Sequence, residues 1–204
     1  MEMLERTTAI VDATLRGDQA QENRLRYDPV LRQLGVNCGW SPIIFDERRE
    51  GARIPAPRDA YGEGRQGLWA GDRAPNAPGL QVVGDVKRQV DLFDLIDAGK
   101  HTVLIFIGRD AALEHASSFL EIVGRQPVGT CKTILVFGSA PNDPQLQARA
   151  DNSVVDSQGL ATQFYKIKEG VRAVAVRPDA VIGAMMKTPG GLAKAFELVF
   201  DVGN

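Results

Sequence analysis

Only two cysteines, Cys38 and Cys131, and two histidines, His101 and His115, occur in the 204 residues. With no CxxC pair and no Cys-His cluster, nothing supports a zinc site, and no metal is expected. Two buried free thiols are expected in place of a disulfide. Charge of one sign is missing as well: 24 basic residues stand against 26 acidic ones, a net charge of -2. No electrostatic footprint for nucleic acid or for a membrane surface follows from that balance. Apolar runs are short. Val103 to Ile107, one of the longest, falls far below the ~20 residues of a membrane helix, and Met1 leads into a charged stretch unlike a signal sequence. A cytoplasmic protein that binds neither nucleic acid nor membrane is the expectation.

What the chain does have is 44% hydrophobic and 25% charged residues, enough for one good core with an appendage. Composition changes near Gly71: all ten basic residues before it are Arg, and all seven Lys follow it. Residues 1–70 read as an N-terminal part with little core of its own. A helix is predicted from Met3 to Leu15, with Gly17 past its end. A second helical stretch, Asn23 to Leu34, is broken by Pro29 and closed by Gly35. Trp40 to Phe45 reads as a strand, and Asp46 to Pro78, rich in Pro and Gly, as an extended arm.

Residues 71–204 are regular, and strands alternating with helices imply an α/β layer structure. Leu80 to Val83 and Lys87 to Val90 form a hairpin, followed by a helical turn at Leu92 to Ile96. Thr102 to Ile107 is a β-branched and aromatic run suited to a strand buried on both faces. Asp110 caps a helix carrying Leu113, Ala116, Leu120 and Val123 on one side. A second buried strand follows at Thr133 to Phe137, then a short one at Val154-Val155 ending at Asp156, and a short helix at Leu160 to Tyr165. Ala173 to Val176 and Val181 to Ala184 flank the turn Arg177-Pro178-Asp179-Ala180. Leu192 to Phe200 closes the chain as a helix, with Pro189 near its start.

One motif misleads. Gly62-Glu63-Gly64-Arg65-Gln66-Gly67 fits G-x-G-x-x-G, but the fingerprint works only where a strand delivers the glycines to a helix N-terminus. Prolines flank this run on both sides, so it is read as accidental.

The element order, hairpin, strand, helix, strand, helix, hairpin, helix, is that of a thioredoxin-like fold. Its redox turn would fall at Gly108-Arg109-Asp110-Ala111-Ala112, where there is no thiol, and thiol chemistry requires one. The segment before Ala173, Glu169-Gly170-Val171-Arg172, also lacks the substrate-gripping proline of a thioredoxin. The oxidoreductase reading therefore lapses while the fold reading stands.

Four phrases then carry a family resemblance: Gly39-Trp40-Ser41-Pro42-Ile43-Ile44-Phe45-Asp46, Ala70-Gly71-Asp72-Arg73-Ala74-Pro75, Leu92-Phe93-Asp94-Leu95 and Val176-Arg177-Pro178-Asp179. Together they resemble the C-terminal thioredoxin-like domain of the FAD-dependent aromatic hydroxylases, among them phenol hydroxylase and the polyketide hydroxylases. The helix around Glu5-Arg6 is similar to the last helix of their flavin domain. The resemblance implies a part of such an enzyme without its flavin-binding segments, since the Rossmann fingerprint and the ribityl-contacting Gly-Asp phrase are not in these 204 residues. Neither flavin nor any other cofactor is expected.

Candidate site residues are few. Arg109, Asp110 and His115 lie where ligands of open α/β sheets bind and could grip an anion or enolate, although a solvated helix face is the favoured account of them. Trp40, Tyr61 and Trp69 could anchor the arm or line a pocket for a small aromatic ligand. His101 is read as a turn residue, Arg177 and Asp179 as hairpin-turn residues, and Met185-Met186 as core filling. Two functions stay open. One is a non-redox scaffold or accessory subunit of aromatic or polyketide metabolism, working with a separately encoded flavin monooxygenase. The other is a cofactor-independent isomerase, cyclase or lyase with a pocket between arm and domain. A homodimer is expected through the N-terminal helices or the arm.

Overall fold

The protein is described here from a computed structural model covering residues 2–18, 36–52, 67–85, 87–108, 113–141 and 143–200. Helix α1 spans Glu2–Arg16, followed by β1 (Phe45–Asp46), α2 (Glu47–Ala52), β2 (Leu80–Val82) and β3 (Gln89–Val90). Then come β4 (His101–Ile107), α3 (Leu113–Gly124), β5 (Cys131–Phe137), α4 (Pro144–Gln147), β6 (Asn152–Val155) and α5 (Leu160–Phe164). The chain continues with β7 (Ala173–Val176), β8 (Ile182–Met186) and α6 (Pro189–Phe200), and single 3-10 turns fall at Leu92–Asp94 and Ile167–Glu169.

The strands form one sheet in the order β1-β8-β7-β4-β5-β6-β2-β3. β4 pairs parallel with β5, Val103 opposite Thr133 and Ile107 opposite Phe137, and α3 links the two strands. On its other side β4 pairs antiparallel with β7, which pairs antiparallel with β8. Four strands ordered β8-β7-β4-β5, with a helix crossing between the parallel pair and another after the last strand, define the architecture. The fold is thioredoxin-like.

Alternation along β4 sorts its side chains onto two cores. Val103, Ile105 and Ile107 face α3 and α6, packing with Phe119, Leu120, Leu192 and Phe196. Leu104 and Phe106 face the other way, toward Leu80, Leu92, Ala161 and Tyr165, and the segment after residue 67 adds Ala70, Ala74 and Ala77 to that layer. Met185 and Met186 fill the two cores from opposite faces of β8, both fully buried. His101 is the first residue of β4, not a turn residue, and its ring stands edge-on to Phe200 with centroids 5.5 Å apart.

Two expectations for the N-terminal part need correction. The strand predicted over Trp40 to Phe45 shrinks to β1, because Ser41 N donates to the Cys38 carbonyl (2.9 Å) and Ile44 N to the Ser41 carbonyl (3.1 Å), coiling the chain around Pro42. The arm expected from Asp46 begins instead as helix α2. No apolar stripe holds this helix. Glu47 does, its carboxylate accepting from Lys187 N (2.6 Å), Thr188 N (3.0 Å) and Thr188 Oγ1 (2.7 Å) at the start of α6. A negative charge is favourable at a helix N-terminus, and a Cβ on Gly191 would collide with that carboxylate. Glu50 pairs with Lys194 one turn further along α6. The second helical stretch predicted at Asn23 to Leu34 lies outside the described residues.

The chain from residue 67 is tied down by a buried ion pair. Arg48 Nε and Nη2 reach the two oxygens of Asp46 at 2.9 and 2.7 Å. Asp46 also accepts from Ala70 N (3.1 Å), while Arg48 Nη2 donates to the Leu68 carbonyl (2.8 Å). Beside it, Gly71 has φ +95°, and a Cβ there would strike the backbone of Gly39 and Cys38. Only glycine permits so close a crossing. Tyr165, buried on the sheet, donates its hydroxyl to the Pro75 carbonyl at 2.8 Å.

Candidate functional site

Parallel strands β4, β5 and β6 end side by side, Ile107 opposite Phe137 and Phe137 opposite Val155. Beyond those ends Gly138 N donates to the Ile107 carbonyl (3.0 Å) and Asp156 N to the Phe137 carbonyl (2.8 Å). A cavity of about 760 Å³ opens there. Phe106, Ile107, Val136 and Ile167 supply apolar wall, and Ser157, Gln158, Thr162, Gln163, Lys166 and Lys168 supply polar groups.

Asp156 shapes this crevice and is itself turned into the protein. It is buried, its Oδ2 accepts from Thr162 N at 2.8 Å, and its carbonyl accepts from Gly159 N at 3.1 Å. Gly159 is left-handed (φ 71°) and starts α5, and Lys166 is left-handed too (φ 60°, ψ 35°). That conformation is uncommon for a residue with a side chain. Among the described residues, Lys166, Lys168 and the internally engaged Asp156 are the ionisable groups that line the cavity.

Of the residues expected to form a site, His115, Trp40 and Trp69 are among the described residues. His115 sits exposed on α3, at the flank of the face that buries Ala116, Phe119 and Leu120, and is not among the residues that line the cavity. Arg109 and Asp110 lie outside the described residues, as do Tyr61 and all of the glycine run except Gly67. Trp40 is exposed. Trp69 is half-buried under two guanidiniums, with Arg48 Cζ 4.5 Å and Arg49 Cζ 5.1 Å from its ring centre, a cation–π stack that fastens the arm. Arg177 clasps Asp179 across their turn at 2.8 Å.

Both thiols are half-buried and free. Cys131 is the first residue of β5 and pairs with His101, at the end of the sheet opposite the cavity. Burial pushes its thiol pKa up, against a smaller lowering by the Thr130 hydroxyl. Cys38 lies against the Gly71 carbonyl. Among the described residues no cluster of His, Cys, Asp and Glu could hold a metal ion, and no helix is long and apolar enough to cross a membrane.

No family model matches the chain, and no curated protein is significantly similar to it. Among solved structures it is similar to a thiol:disulfide interchange protein from Bacteroides sp., at 16% identity over 67% of this chain and 92% of that one, with a TM-score of 0.49. The flavin-dependent monooxygenase PieE, solved with FAD and substrate, matches at 18% identity over 94% of this chain, with a TM-score of 0.49. The match spans 31% of PieE. A mitochondrial 2-Cys peroxiredoxin from Plasmodium falciparum matches at 10% identity over 64% of this chain and 93% of that one, with a TM-score of 0.48.

Proposed function

We propose that this chain is a non-redox scaffold, a counterpart of the C-terminal thioredoxin-like region of FAD-dependent aromatic monooxygenases, acting as an accessory subunit in aromatic or polyketide metabolism. One observation supports the reading: residues of the phrases that make the resemblance bond to residues beside the other phrases and hold the arm to the sheet. Arg73 bridges to Val181 beside the Arg177–Asp179 turn, and Ala74 N donates to the Ala180 carbonyl at 2.9 Å. Gly71 N donates to the Ile182 carbonyl (2.7 Å) and Cys38 N to the Gly71 carbonyl (2.9 Å). Leu92 N and Phe93 N reach the Ala77 carbonyl and Asn76 Oδ1 at 2.9 and 3.1 Å. Residues shared with the hydroxylase tail thus build an architecture and leave the chemistry to a partner's flavin. Cys131 supports the same reading, since a reactive cysteine needs a lowered pKa and burial raises that of Cys131.

The partner in this reading is a separately encoded flavin monooxygenase, and the scaffold works as a homodimer in the cytoplasm. The test is complementation in trans. A flavin monooxygenase shortened by its own thioredoxin-like region should regain hydroxylation when this chain is added, and the chain alone should carry no yellow cofactor. Reduction of insulin disulfides by the purified chain, or a failure to restore the shortened enzyme, overturns the proposal. A second reading, a cofactor-independent isomerase, cyclase or lyase, is favoured by the cavity at the strand ends alone. Turnover of an aromatic or polyketide intermediate by the purified chain, lost in a variant of the cavity-lining Gln163, Gln163→Ala, would establish it.

A further inference from the structure

We draw no further inference here: the strongest candidate, the half-buried Arg49 guanidinium of α2 stacked on Trp69, carries nothing, because the nitrogen that lacks a hydrogen-bond partner, Nε, is itself buried out of a ligand's reach and nothing in the structure shows what covers the rest of the side chain.

Discussion

Replacing Arg48 with Met tests the physical logic of the arm most directly. The side chains of Arg48 and Asp46 are 9% and 1% exposed, so water screens their bond very little. Removing the guanidinium leaves the carboxylate with the backbone N-H groups of Ala70 and Arg48 as its remaining donors, at 3.1 Å each. Breaking one side of a buried pair costs about 3–5 kcal/mol. At about 2–4 °C per kcal/mol for a chain of this size, the melting temperature should fall by about 6–20 °C. Arg48 also donates to the Leu68 carbonyl and stacks on Trp69, so the loss should come with faster proteolysis after residue 67. The double variant Asp46→Asn/Arg48→Met removes the stranded charge and should recover more than half of the loss, because the penalty lies mainly in the unpaired carboxylate. Thermal unfolding followed by circular dichroism reads all three proteins. A loss under about 1 kcal/mol in Arg48→Met, the value of a surface pair, or strictly additive losses in the double variant, would refute the reasoning.

Three further outcomes follow from single residues. Gly71→Ala puts a methyl against the Gly39 and Cys38 backbone at φ +95° and should destabilise by more than about 1 kcal/mol, whereas Gly84→Ala, with open space around it, should cost only its left-handed strain; equal melting temperatures for the two would sink the crossing argument. Tyr165→Phe removes the hydroxyl donated to the Pro75 carbonyl and should cost about 1–2 kcal/mol in urea unfolding with an unchanged m-value. For His101, burial first and the Arg177 charge second hold the pKa below its ordinary value, against an opposing pull from Asp179. The unfolded chain therefore binds the proton first, so stability is full above about pH 6.5 and falls as pH drops from there through the lower folded value; His101→Phe should flatten that slope, and an unchanged slope would remove His101 from the account.

The central strands were legible because a strand buried on both faces needs an unbroken apolar run, and Thr102 to Ile107 and Thr133 to Phe137 are such runs. Helix α3 was legible from Ala116 and Leu120, which are buried with Phe119. Helix α2 was not, since Glu47-Arg48-Arg49-Glu50-Gly51-Ala52 has no apolar period and is held through bonds to residues about 140 positions away. Short α4 escaped as well, although Asp143 capping Leu146 N (2.9 Å) ahead of Pro144 left a readable start signal. The cavity had no motif to betray it. Gln158, Gln163, Lys166 and Lys168 follow no ligand spacing, and only the folding of β6 and α5 against the ends of β4 and β5 brings them to one opening.

Both outermost described strands, β1 and β3, are two residues long. A growing fibril or a strand-swapped dimer needs a longer free ladder than that to dock upon, and short edges are one way proteins prevent it. β8 on one flank lies behind β1 and the Arg73–Val181 bridge, and β2 on the other lies behind β3. Aggregation at high concentration would therefore have to begin with the opening of an edge. Shielding of β8 depends on Phe45–Asp46 staying paired, so the bond between Asp46 and Arg48 also guards solubility: variants that loosen it should turn turbid on storage well below their melting temperature.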